Sequence, residues 1–105
     1  MRPLDFVSLI RPLIGKSLNN VAYHHFESAQ ILPYAVYMEN DLETFVAENR
    51  TWLGDQSIRF EVYTKRKDFA LEQEIEELFQ DHVWTKEASD WLETENCYMT
   101  VYVIN

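Results

Sequence analysis

The stretch from Ile58 to Phe79 constrains the fold more than any other. Ile58, Phe60 and Val62 alternate with Arg59, Glu61 and Tyr63, the period-2 pattern of a half-buried strand. Thr64, Lys65, Arg66 and Lys67 form a polar break. Asp68 is placed to cap a helix, because its carboxylate can accept from the free N–H groups of the first turn. Leu71, Ile75, Leu78 and Phe79 then recur at the spacing of one helical face. A strand feeding directly into an amphipathic helix is a unit that the remaining segments must cover.

Those segments read as one helix and several strands. Pro3 suits a first helical turn, and Phe6, Leu9, Ile10 and Leu13 mark one face of a helix over residues 4–14. Pro12 should end or kink it near Ile10 and Arg11. Strands are expected at Val21–Phe26, Tyr34–Met38 and Thr44–Ala47, and again at Val83–Thr85. Ala88–Thr94 reads as a bend with one helical turn at Asp90–Leu92. Asn96–Asn105 lacks charge and is apolar on both faces, so it belongs inside a sheet. The order α-β-β-β-β-α-β-β predicts an α+β fold, a mostly antiparallel sheet of five to six strands with two helices on one face. Residues 1–105 suffice for a single domain. Tyr37, Tyr63, Tyr98 and Tyr102 are expected on the other face, meeting a partner.

The charge is strongly localised. Asp68 to Glu95 holds ten carboxylates against the single Lys86, which accounts for the whole formal net charge of −9. Such a surface repels phosphate, so adhesive nucleic-acid binding is not expected. Glu72, Glu76, Glu77 and Asp81 form the expected acidic face. Like charges at i, i+4 (Glu72 with Glu76, Glu77 with Asp81) cost roughly 0.2–0.5 kcal/mol per pair. Acids near the helix C-terminus also oppose its dipole, by roughly 0.3–1 kcal/mol.

Chemical motifs are weak. His24 and His25 would point to opposite faces of a strand, so they do not suggest a shared metal ion. His82 reads as a helix-end residue near a carbonyl. Cys97, the one cysteine, permits no internal disulfide and has acids nearby that would raise its pKa. Gly15 and Gly54 cannot build a glycine-rich phosphate loop. No catalytic, cofactor or metal residue is assigned, and an enzyme is not expected. No run approaches the ~20 apolar residues of a membrane span, so no membrane partner is expected. No export leader is expected either: Met1–Asp5 lacks a basic region followed by a long apolar core. Trp84 reads as core. Trp52 and Phe69 are expected to be exposed anchors for a neighbouring subunit or another protein, with Tyr37 and Tyr63 assisting.

Taken together, Leu32–Tyr37, Phe45–Asn49, Ile58–Asp68 running into the acidic helix, and Trp91–Glu95 before Tyr98 resemble the small tail-terminator (tail-completion) proteins of long-tailed bacteriophages. The resemblance spans nearly the whole chain in order and length. It implies a structural role: copies of the chain, often six, form a ring on the end of the tail tube. The ring stops tube growth and offers a docking surface to the head. Implied partners are the chain itself, the major tail tube protein and a head–neck connector protein. The implied location is the tail–head junction of the virion, and the cytoplasm of the infected bacterial host during assembly. An acidic lumen that lets DNA pass without sticking would explain the helix. A sibling neck protein fits the same segments, and an acidic DNA mimic that binds a basic host protein is the competing class.

Overall fold

The protein is described from a computed structural model covering residues 1–40 and 57–105. In chain order its elements are α1 (Pro3–Ile10), a 3-10 turn (Arg11–Leu13), β1 (Asn20–Tyr23), β2 (Tyr34–Glu39), β3 (Ile58–Thr64), α2 (Phe69–Phe79), β4 (Trp84–Leu92) and β5 (Cys97–Ile104). The architecture is α+β. Among the described residues five strands form one mixed sheet in the order β1-β2-β3-β5-β4. Every neighbouring pair is antiparallel except β1 and β2, which run parallel. The expected strand Thr44–Ala47, and Trp52, lie outside the described residues.

The strand-to-helix unit forms as its pattern requires. Ile58, Phe60, Val62 and Thr64 are buried, while Arg59, Glu61 and Tyr63 are half-buried on the opposite face. The Asp68 Oδ1 accepts from the Leu71 amide at 3.0 Å and caps α2. Leu71, Ile75 and Phe79 turn inward. Pro12 acts as expected: α1 stops at Ile10 and the chain tightens into the 3-10 turn.

The two described helices pack on one face of the sheet. Phe6, Ile10, Leu71, Ile75 and Phe79 meet Ala35, Ile58, Phe60, Val62, Tyr102 and Ile104 in one core. Aromatic rings fill its centre: Phe6 lies edge-on to Phe60 with centroids 5.0 Å apart, and Phe79 edge-on to Tyr102 at 5.6 Å. Such pairs contribute about 0.5–1.5 kcal/mol beyond their area. Trp84 joins this core against Phe79 and Tyr102. β5 lies between β3 and β4, the interior position its two apolar faces require.

Two expectations are corrected. Ala88–Thr94 is not a bend with a helical turn; residues through Leu92 continue β4 to nine residues along the sheet edge. The register slips between Lys86 and Ala88, a bulge that breaks the alternation a sequence pattern depends on. The tyrosines are also not all on the open face. Tyr37 pairs with Phe60, Tyr102 with Phe60, and Tyr98 with Thr64, so these three stand on the helix side. Tyr102 is fully buried. Among the described residues two helices cover this face, and large rings such as Tyr102 pack beneath them. Tyr63 alone of the four faces the other way.

Candidate interaction surface

The acidic helix divides into a paired side and an unpaired end. Lys67 Nζ lies 2.9 Å from both carboxylate oxygens of Glu72 and donates to Ser89 Oγ at 2.8 Å. Lys86 Nζ reaches Glu72 Oε1 at 2.8 Å and Glu76 Oε2 at 2.7 Å. Tyr102 OH donates to the same Glu76 oxygen at 2.9 Å. Glu72 is buried at 7% exposure. Burial pushes its carboxyl up, but hydrogen bonds from Lys86 and Lys67 outweigh this and hold it below its ordinary value. Lys86 shows the mirror case: burial disfavours its charge, and the hydrogen bonds it donates to Glu72 and Glu76 leave its pKa raised. Burial, then the Glu76 bond, raises Tyr102 far above the ordinary phenol range.

Glu72 and Glu76 therefore do not belong to a solvated acidic face. Lys86, the only base among ten acids, stands between them and removes their i, i+4 repulsion. Sequence spacing could not show this, because the contact spans 14 residues and arises from packing α2 against β4. Glu77 and Asp81 remain exposed. Glu77 takes only a 3.4 Å bond from Gln73. On the other flank Glu74 accepts from Ser17 Oγ at 2.8 and 2.9 Å.

At the start of α2, Phe69 is 75% exposed, as expected of an anchor. Lys67 Nζ sits 5.2 Å from the centre of its ring and 5.6 Å from that of Tyr98. Trp91 pairs across the sheet with Tyr98 and is 44% exposed, so rings gather at this end of the helix side. Trp91 was not singled out as an anchor because the strand that presents it reads as a bend. Below Phe69 a groove of about 400 Å³ is lined by Leu32, Pro33, Lys65 and Arg66.

The opposite face carries Tyr63, stacked on Tyr34 with centroids 5.1 Å apart. Its hydroxyl donates to Glu61 Oε1 at 2.9 Å, and Arg59 Nε donates to Glu61 Oε2 at 2.6 Å. Burial, with the Glu61 bond next, raises the Tyr63 hydroxyl well above its usual range. Tyr34, Tyr63, Leu92 and the segment His24–Gln30 border a cleft of about 480 Å³. Tyr37 is elsewhere, half-buried against Phe6 at 5.6 Å. The structure thus does not bring Phe69, Tyr37 and Tyr63 into one patch.

His24 and His25 also differ from expectation. β1 ends at Tyr23, His24 takes a left-handed φ of 66°, and the two rings meet with their Nδ1 atoms 3.2 Å apart. His25 Nε2 turns instead to Glu27 at 3.3 Å. Among the described residues no three ligating side chains converge on one point. Cys97 is buried, and burial with the nearby Glu95 charge raises its thiol pKa. His82 follows α2 and gives its backbone N–H to the Phe79 carbonyl at 2.8 Å.

The fold and these surfaces define a small α+β domain with a buried aromatic core and exposed rings at one end. No protein-family model, curated protein or solved structure matches the chain.

Proposed function

We propose that the chain is a structural protein of bacteriophage assembly, a tail terminator that joins with copies of itself on the end of the tail tube, stops tube growth and receives the head. The observation that best supports this is Phe69. A phenyl ring three-quarters exposed, beside exposed Trp91 and a basic groove, is costly in water and suited to a protein contact. The chain's mechanism is surface complementarity. Its expected partners are itself, the tail tube protein and a neck connector.

The DNA-mimic reading is weaker. A mimic presents its carboxylates to a basic partner, whereas Glu72 and Glu76 are spent on Lys67 and Lys86. The reading is tested by adding the purified chain to tail tube protein as it polymerises. Tubes of limited length, with the chain at one end, support termination. Tubes that grow to the same length with or without it refute it.

A further inference from the structure

We propose that two oppositely charged poles at opposite ends of this chain bind head to tail, one copy to the next. The inference rests on the self-assembling reading above and names its contact.

The first pole is the groove beneath Phe69. Leu32, Pro33 and Phe69 give it apolar lining, and Lys65, Arg66, Lys67 and Asp68 line it too. Lys67 is held by Glu72 and Asp68 by the Leu71 amide, which leaves Lys65 and Arg66 as its spare charges. Both cations are exposed, and neither has a partner among the described residues. The second pole is the last turn of α2 and the residues after it, where Glu77, Asp81 and Val83 are all exposed, Val83 at 77%.

The sheet register fixes where the poles lie. The groove adjoins Thr64, which pairs with Tyr98 at one end of β5. Val83 precedes Trp84, which pairs with Ile104 at the other end. Tyr98 and Ile104 stand at opposite ends of β5, roughly 20 Å apart along the strand, so the two poles of one copy do not meet each other. Each pole offers two exposed charges near exposed or groove-lining apolar side chains, and the two pairs are of opposite sign. Val83 of one copy fits the groove of the next, with Glu77 and Asp81 against Lys65 and Arg66. Two grooves facing each other would set like charges together, which disfavours a two-fold contact of groove on groove. A head-to-tail contact yields a ring if its rotation closes and a filament if it does not. Nucleic acid is a poorer occupant of the groove, since the net charge of −9 repels phosphate.

The test uses the full chain and two double variants: Lys65→Glu with Arg66→Glu, and Glu77→Lys with Asp81→Lys. All four side chains are exposed, so circular dichroism should show both variants folded. Sedimentation velocity at low salt should show concentration-dependent oligomers for the parent chain, weakened by added salt. Each variant alone should associate at least about tenfold more weakly, because attraction becomes repulsion. An equimolar mixture of the two should assemble again, since each then offers the pole the other lacks. Should either variant fold poorly, the neutral pair Lys65→Gln with Arg66→Gln takes its place and must also weaken assembly. Oligomers indifferent to every reversal overturn this contact and leave the self-assembling reading standing. A parent chain that stays monomeric at all concentrations, or a groove that binds duplex DNA through Lys65 and Arg66, also overturns it. Failure of the reading itself shows in the tube-length assay, which does not depend on these variants.

Discussion

Replacing Glu72 by Gln removes one charge and almost no volume from the centre of the Lys67–Glu72–Lys86–Glu76 network. The Glu72 side chain is 9% exposed, while those of Lys67 and Lys86 are 29% and 32% exposed. Breaking a fully buried ion pair costs about 3–5 kcal/mol, and an exposed pair contributes below about 1 kcal/mol. The two lysines keep a route to water, and Lys86 keeps Glu76 at 2.7 Å. The expected loss therefore lies between those limits, at about 1.5–2.5 kcal/mol. In a domain of this size that lowers the melting temperature by roughly 8–15 °C.

The pH dependence of that loss has a definite sign. The Glu72 carboxyl is held below its ordinary value of 4.5 in the folded chain. The stability it contributes is present above that ordinary value and is lost as the pH falls through the folded value. Urea unfolding followed by tryptophan fluorescence should thus show the full deficit of Glu72→Gln at pH 7. The deficit should shrink steadily below about pH 4. A deficit under about 0.5 kcal/mol at pH 7, the range of ordinary surface changes, would refute the reasoning. So would a deficit that does not change with acid.

Three further outcomes follow from the same structure. Phe6→Ala removes a fully buried ring that touches Phe60, Phe79 and Tyr37, and should cost about 3–5 kcal/mol in thermal or urea unfolding. Asp68→Ala deletes the cap of α2 and should cost about 1 kcal/mol; Asp68→Asn should recover most of it. Cys97, buried with its pKa raised, should react with a thiol reagent far more slowly in the folded chain than in urea; equal rates would place the thiol at the surface.

Much of the fold was legible in the sequence where one face alternates with another. Ile58–Phe79 was legible as strand, cap and helix because its signals are local. β5 was legible as an interior strand because it is apolar on both faces. β4 was not, since Ala88 is a poor strand former, Ser89 and Asp90 favour turns, and the bulge at Lys86–Ala88 shifts the period. The parallel pairing of β1 and β2 carries no pattern of its own. The orientation of the tyrosines was misread for a related reason: a ring with a hydroxyl suits a surface or a core equally. The register that sets Tyr37 and Tyr102 opposite Phe60, and Tyr98 opposite Thr64, decides the matter. The exposure of Phe69 was legible, because it stands off the apolar stripe of its helix. The division of the acids into paired and unpaired sets depends on lysines 5 and 14 residues away from Glu72, one of them on another element.

Tail length in virions measures the proposed role most directly. Electron microscopy of particles made by a phage lacking this gene should show tails of uncontrolled length alongside heads without tails, both corrected when the chain is supplied in trans. Particles with joined heads and tails of normal length would contradict the account.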